Sequence, residues 1–370
     1  MRIAHLVVKH PLRGGGIEKY TYELGSRLVA RGHEVTVYSM THYGALDPQI
    51  NGMRIKPVFA FKKTSLQKLS ASLSASLDVL VHGRYDIVHL HSVAAGAFGI
   101  LPRMRGCKTV LQMHGIEWRR SRWGTIGSRF LKCLEKASIR QAAACTAVSR
   151  TQCDYLLKTY HIQADYIPTA ATIKSPAAPR DLYALGLQPD NYILFASRLV
   201  PEKGAHYLIS AFRKLNLPIK LVVAGDLGNE APYLTQLKNL AKGDNRIIFP
   251  GFVEGRLLDE LFSHARLYVQ PSIVEGLSLS LLEAMSYGNC CLVSDIPENL
   301  EAIGHCGYSF KNQSIDDLSH KIKILLDQTE MVDRIKTESI NRIRHYYSWE
   351  LVTKQMETFY DAVVRGERHK

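Results

Sequence analysis

Glu275 and Glu283 stand eight residues apart in the run EGLSLSLLE, around the expected start of a helix. Two turns of α-helix take about 7 residues, so both carboxylates can address one end of that helix if the intervening turn is partly unwound. Gly276 lets a ligand approach the backbone closely. The N–H groups of Leu277, Ser278 and Leu279, with the positive end of the macrodipole, then suit an anion. A sugar nucleotide reconciles carboxylates with an anion site: its diphosphate meets the amides, while its sugar and ribose hydroxyls donate to Glu275 and Glu283. The spacing alone fits an ordinary amphipathic helix equally well.

A second element lies upstream. The apolar run NYILFAS leads into Arg198, and RLVPEKG then opens the helix GAHYLISAF. Arg198, the Pro201 turn and Lys203 put two cations and free amides at the carboxyl end of a parallel strand. Alone, such cations read as solvated loop residues. Together, the two elements resemble the second domain of the family 4 retaining glycosyltransferases, enzymes with two Rossmann-like lobes. In that family an Arg and Lys pair and an E-x7-E motif hold the donor.

The first lobe extends the resemblance. Its opening segment, through HEVTVYS, reads as strand, glycine turn, amphipathic helix and strand, one βαβ unit. Gly14, Gly15 and Gly16 lack the G-x-G-x-x-G spacing, and no acidic residue ends the second strand, so nicotinamide binding is disfavoured. The turn resembles the family's glycine loop, which implies that Gly15 and Gly16 face the donor diphosphate. The strand KTVLQMH ends in His114, one of 15 histidines; the resemblance places it beside the transferred sugar. The following Glu117, Trp118, Arg119 and Arg120 could grip an acceptor phosphate, since Arg binds such groups bidentately, or form a solvent-facing basic loop.

Departure of a nucleoside diphosphate needs cations or oriented N–H groups at the leaving oxygen. The chain has no Asp-x-Asp motif to hold a divalent ion, and Arg198, Lys203, the amides after Gly276 and the glycine loop can do that work without a metal or other cofactor. The resemblance implies retention of anomeric configuration by same-face attack, with His114, Glu275, Arg198 and Lys203 as the catalytic group, Glu275 on the sugar and Glu283 on the ribose. Where many relatives close the linker strand with Asn-Gly-Val-Asp, this chain has Thr169, Ala170, Ala171 and Thr172, so no acceptor is carried over. The leading expectation is a transferase moving sugar from a UDP- or GDP-sugar to a glycan or lipid-linked acceptor in bacterial lipopolysaccharide, capsule or exopolysaccharide synthesis. A UDP-sugar 2-epimerase of the same fold and a non-catalytic sugar-nucleotide-binding paralogue are the alternatives.

Charge is unevenly placed. Residues 1–170 carry 24 Lys and Arg against 10 Asp and Glu, an excess of +14, and the remainder is at −1. That suggests a polyanionic partner, and nucleic acid is disfavoured because no recognition motif accompanies the charge. Two segments could meet an anionic membrane. The span from Arg119 to Arg140 interleaves Arg119, Arg120, Arg122, Arg129, Lys132, Lys136 and Arg140 with Trp123, next to Trp118. The other is the stripe Leu66, Leu69, Leu73, Leu77 and Leu80 near Lys62, Lys63 and Lys68, whose favoured reading is packing on its own sheet. The absence of an 18-residue apolar run, a start directly in a strand and seven cysteines without metal-type pairs lead to a cytoplasmic expectation, peripheral on the inner face of the plasma membrane.

These groups need a frame of alternating strands and helices. Strands are expected near 2–8, 34–39, 86–91, 108–113 and 144–148, then near 192–197, 219–224, 246–250, 267–270 and 291–294. The fold class is therefore α/β, of the GT-B type: two Rossmann-like parallel-sheet domains facing a cleft, with a terminal helix crossing back to the first. The expected bounds are 1–170 for the acceptor and membrane-facing domain, 190–346 for the donor domain and 347–370 for the terminal helix. Pro168, Pro176, Pro179 and Pro189 mark the linker.

Overall fold

A computed structural model describes residues 1–12, 15–44, 47–62, 64–119, 124–225 and 231–367. The chain divides into two compact units, Met1–Thr169 with Trp349–Lys370, and Ala170–Ser348.

Among the described residues the first unit contains β1 (Arg2–Val8), β2 (Glu34–Met40), β3 (Gln49–Ile50), β4 (Met53–Val58), β5 (Ile87–Leu90), β6 (Lys108–Met113), β7 (Ala144–Ala147) and β8 (Asp165–Tyr166). Its helices are α1 (Gly16–Ala30), α2 (Thr64–His82), α3 (Val93–Gly96), α4 (Ile100–Met104), α5 (Thr125–Gln141) and α6 (Arg150–Tyr160). The strands lie in the order β3-β4-β2-β1-β5-β6-β7-β8, parallel except for the β3–β4 pair.

The second unit contains β9 (Tyr192–Ala196), β10 (Lys220–Ala224), β11 (Ile247–Gly251), β12 (Leu267–Gln270), β13 (Cys291–Ser294) and β14 (Tyr308–Phe310). Its helices are α7 (Ala205–Arg213), α8 (Ala231–Ala241), α9 (Gly255–His264), α10 (Leu279–Ser286), α11 (Pro297–Ile303), α12 (Ile315–Asp327) and α13 (Thr329–Tyr346). The parallel order is β11-β10-β9-β12-β13-β14. Every residue of β9, β12 and β13 is buried, which explains their continuous apolar runs: helices cover both faces of a parallel sheet.

The order of winding decides where a site can form. In the second sheet the order reverses between β9 and β12, and in the first between β1 and β5. Ligands of open α/β sheets bind at the carboxyl ends of the strands flanking such a switch point.

Helix α14 (Trp349–Arg365) returns to the first unit. Val352, Met356, Phe359 and Val363 are buried along one stripe, as helical spacing requires. Tyr360 Oη lies 2.5 Å from His89 Nδ1, and Glu357 meets Arg31 at 3.0 Å and His33 at 2.7 Å.

The leucine stripe of α2 departs from its expected packing. Leu66, Leu73 and Leu77 are exposed, Leu69 and Leu80 are half-buried, and the face against the core is Ala71, Ala75 and Val79 with Ser72 and Ser76. Small residues allow the helix to lie close to the sheet, and the leucines one step around the helix are left outside.

The start of the second unit is pinned by one carboxylate. Glu260 on α9 is fully buried, and its Oε2 accepts the backbone N–H groups of Arg180, Asp181 and Leu182 at 2.8, 2.7 and 3.0 Å, while Arg256 Nε donates to Oε1 at 2.8 Å. Burial would raise its pKa, but the donors outweigh it and hold the carboxyl down at about 2. A depressed carboxyl stabilises the fold above its unfolded pKa and loses that contribution as pH falls toward the folded value. Glu260→Gln should therefore lower stability by about 2 kcal/mol at neutral pH. Urea titrations at pH 7 and pH 3 check this: the gap between parent and variant should shrink in acid, and a gap independent of pH refutes the assignment.

Candidate functional site

The loops after β9 and β12 meet at the second unit's switch point, although Arg198 and Glu275 are far apart in sequence. After β9 the chain passes through Arg198, which is exposed, to a single 3-10 turn, Pro201–Lys203, and then to Gly204 at φ +72°. A Cβ on Gly204 would stand 1.9 Å from the Pro271 carbonyl oxygen, so only glycine permits this approach. Ile273 N–H donates to the Glu202 carbonyl at 2.8 Å, and Lys203 Nζ donates to Glu275 Oε1 at 2.5 Å. Backbone contact, a hydrogen bond and an ion pair join the two motifs.

The pair is largely withdrawn from water, with side-chain exposures of 14% for Lys203 and 7% for Glu275. An ammonium has three N–H donors. One is used on Glu275, and an ammonium so held can meet phosphate oxygens without giving up the pair. Glu275 thus holds Lys203 in place, a role its carboxylate was not expected to play. Gly276, Leu277 and Ser278 are buried in the connection, and Leu279 begins α10. Ser278 is the N-cap, accepting from Leu281 N–H at 3.4 Å. Glu283 lies one turn into α10 and is half-buried. The two carboxylates therefore bracket the start of the helix, with Glu275 in the loop before it.

Beneath this loop runs a buried polar chain. Ser278 Oγ donates to Gln270 Oε1 at 2.7 Å, Gln270 Nε2 to Asn299 Oδ1 at 2.9 Å, Asn299 Nδ2 to Ser294 Oγ at 3.0 Å, and Ser294 Oγ to the Ser272 carbonyl at 2.5 Å. It ties the cap of α10 to β12, β13 and α11, so the loop is held on rigid elements. Gln270, Asn299 and Ser294 carried no sequence signal beyond being polar residues in or next to apolar strands.

The first unit gathers its own polar groups at the β1/β5 switch. A small cavity there is lined by Ile17, His91, Ser92, Val93, Met113, His114, Gly115 and Glu117. His5 on β1 pairs in register with His89 on β5, His91 follows on the same face, and His114 comes just after β6. His5 Nδ1 lies 2.8 Å from His91 Nε2, and His91 Nδ1 lies 3.2 Å from His114 Nε2. Desolvation lowers the pKa of His5 and of His114 to about 3, the latter also under Lys68 and against Glu117, and burial drives His89 and His91 well below the ordinary value. The row is neutral at physiological pH. His5, His89 and His91 each have a nitrogen within 4.8 Å of the others. The His5 and His91 rings nevertheless stack at an interplanar angle of 13°, and their bonded nitrogens cannot both turn to one ion without breaking that bond.

The glycine loop is braced differently from expectation. Gly15 N–H donates to Glu18 Oε2 at 2.9 Å, and Lys9 N–H approaches Glu18 Oε1 at 3.4 Å. The Gly15 amide expected to face a diphosphate is thus occupied by the chain's own carboxylate. Gly16 opens α1, and Gly14 lies outside the described residues.

The Glu117–Arg119 run is a short turn packed by aromatic contacts. Trp118 Nε1 donates to Tyr155 Oη at 3.2 Å, Lys132 Nζ stands 3.9 Å over the Trp118 ring, and the Arg119 guanidinium is 5.4 Å from that ring and 5.6 Å from Tyr155's. Arg119 remains exposed. Arg120, Arg122, Trp123 and Lys63 lie outside the described residues.

Two doubly wound parallel sheets with loops gathered at their switch points define the GT-B class. The sequence matches the family described as Glycosyltransferase Family 4 over residues 14–171 and that described as Glycosyl transferases group 1 over residues 184–342. An uncharacterized glycosyltransferase of Methanocaldococcus jannaschii is 25% identical over 385 aligned positions, covering 97% of this chain and 98% of that protein. The sucrose-phosphate synthase of Thermosynechococcus elongatus has the same fold, with a TM-score of 0.84 at 19% identity over 99% of both chains. An Anabaena protein solved in complex with UDP and glucose gives a TM-score of 0.80 at 18% identity, over 98% of this chain and 100% of that one. The chain belongs to glycosyltransferase family 4. It is a retaining glycosyltransferase that takes sugar from a nucleotide sugar.

Proposed function

We propose that the enzyme transfers a sugar from a UDP- or GDP-sugar to a glycan or lipid-linked acceptor, in assembly of lipopolysaccharide, capsule or exopolysaccharide. The observation that carries the donor half is the Lys203–Glu275 pair set against the capped start of α10. In this reading Lys203, Arg198 and the amides from Gly276 to Leu279 receive the diphosphate; Gly15 and Gly16 are proposed for the same anion on condition that the Gly15 N–H exchanges Glu18 for it. Glu275 holds Lys203 and orients sugar hydroxyls, Glu283 takes the ribose, and His114 addresses the transferred sugar. Cations and oriented amides stabilise charge on the leaving oxygen, and that phosphate accepts the acceptor's proton as the new bond forms on the same face.

Donor hydrolysis across a set of sugar nucleotides tests the reading. One UDP- or GDP-sugar should be turned over in excess EDTA, because the charge is met by side chains and amides. Loss of all turnover in EDTA with recovery by Mn²⁺ refutes the metal-free account.

On the acceptor side, Glu117, Trp118, Arg119 and Arg120 are proposed to meet an acceptor phosphate at an anionic membrane surface. Support comes from α5, where Ile126 is 85% and Phe130 54% exposed, beside exposed Arg129, Lys132 and Lys136. An exposed apolar pair ringed by cations suits the headgroup region of an anionic bilayer. Among the described residues no helix is long and apolar enough to cross a membrane. The protein should bind phosphatidylglycerol vesicles, bind phosphatidylcholine vesicles poorly, and release near 1 M salt, where the Debye length is about 3 Å. Ile126→Ser with Phe130→Ser and Arg129→Ser should weaken that binding; equal binding to both vesicle types, or to neither, removes the membrane and leaves a free phosphorylated acceptor.

A further inference from the structure

The row of histidines in the first unit has a proton count that constrains what His114 can do. His5, His91 and His114 are joined end to end, His5 Nδ1 to His91 Nε2 at 2.8 Å and His91 Nδ1 to His114 Nε2 at 3.2 Å. Burial keeps all three neutral, so each ring carries one N–H and offers one lone pair. With one proton in each bond, only two arrangements satisfy both. Either every ring donates toward His114, which leaves His114 Nδ1 protonated and His5 Nε2 bare, or every ring donates toward His5, which leaves His5 Nε2 protonated and His114 Nδ1 bare.

Two observations choose between them. His5 Nε2 is buried and has no hydrogen-bond partner among the described residues. The second arrangement would bury an N–H donor there with nothing to receive it, and orphaned N–H groups are the rarer defect in folded proteins. At the other end, His114 lines a small cavity together with Glu117, so a proton left there meets a polar space and not a sealed core; the charges of Lys68 and Glu117 act on the ring in opposite senses and do not decide the direction. Thr21 Oγ1, 3.4 Å from His91 Nε2, can donate or accept and does not decide the direction.

We infer that His5 and His91 set the tautomer of His114, so that Nδ1 carries its proton and is presented as a hydrogen-bond donor to an oxygen of the bound substrate. His5 and His91 are positioning residues: they sit behind His114, at 0% and 1% exposure. The substrate half of the statement rests on the reading that His114 addresses the transferred sugar; the tautomer half does not. A neutral donor suits a sugar hydroxyl oxygen, and a lone pair at the same place would instead ask that hydroxyl to donate. The direction of one row of protons thus selects which hydrogen bonds a sugar can make there.

The test is long-range ¹H–¹⁵N correlation on the full chain labelled with [¹⁵N]histidine at pH 7, with His114→Gln identifying the His114 signals. The expected result is His114 as the Nδ1–H tautomer. His91→Asn keeps a donor near the position of Nδ1 and should preserve it; His91→Asp places an acceptor there and should move the His114 proton to Nε2. In wild-type protein, an Nε2–H tautomer, a mixture of the two or a cationic ring each overturns the inference, whether or not either variant folds. Donor hydrolysis is measured separately: a tautomer as expected with no turnover of any sugar nucleotide would sink the functional reading alone. Where turnover is present, His91→Asp should lower kcat at least tenfold while UDP affinity changes less than threefold.

Discussion

Lys203→Ala is expected to lower kcat/KM for sugar transfer roughly 10²-fold or more, the range for removing one donor to a developing oxyanion. The substitution acts twice. It removes the ammonium proposed to meet the departing diphosphate, and it strands Glu275, 7% exposed and bonded to Lys203 at 2.5 Å. A carboxylate left without its partner repels the same diphosphate and costs more than the pair contributes. Adding Glu275→Gln should therefore recover part of the lost UDP affinity, measured by calorimetry, while turnover stays low. Arg198→Ala should also lose roughly 10²-fold, without that partial recovery. Near-normal activity in both Arg198→Ala and Lys203→Ala removes the donor-site assignment.

Gly204→Ala should be the most damaging small substitution in the second unit. Its Cβ would lie 1.9 Å from the Pro271 carbonyl oxygen, at a backbone φ of +72°. The obstacle is main chain on a loop that follows a buried strand, and it cannot swing aside as a side chain could. Separating the two loops would also break the Ile273 to Glu202 hydrogen bond and the Lys203–Glu275 pair. A loss of at least about 4 kcal/mol is expected, the size reserved for a few named mechanisms. Chemical unfolding followed by circular dichroism checks it. Gly243, also at positive φ but with nothing within 4 Å of a built Cβ, is the control, and Gly243→Ala should cost only about 1–2 kcal/mol. Equal losses at the two positions would show that backbone strain, and not the approach to Pro271, is what matters at Gly204.

What the sequence made legible follows from physical signal strength. Strands buried on both faces read as unbroken apolar runs, and β9, β12 and β13 lie where YILFA, LYVQ and CLVS place them. β4 went unread because MRIKPV mixes charge and proline into a strand of alternating burial. The pairs of residues forming β3 and β8, and the three of β14, are too short for any period to show. At the site, Arg198, Lys203, Glu275 and Glu283 could be singled out by type and spacing. That Lys203 and Glu275 bond each other is a property of strand order, since β9 and β12 become neighbours only when the sheet is wound. Gln270, Asn299 and His5 were invisible for a related reason: each takes its meaning from partners that are distant along the chain.

The path of the chain through the first unit bears on how that unit is made. It leaves at Thr169 and re-enters at Trp349, so Tyr360, which meets buried His89, and Glu357, which meets Arg31 and His33, are synthesised after the entire second unit. At about 5–20 residues per second, the ribosome leaves the first sheet without α14 for on the order of ten seconds or more. During that interval the apolar stripe of Val352, Met356, Phe359 and Val363 is missing, and the surface it will cover faces water or a chaperone. A truncation or fusion near residue 360 is for this reason an edit to the core of the first-made unit, and its cost should appear as aggregation of nascent chains before any loss of donor binding.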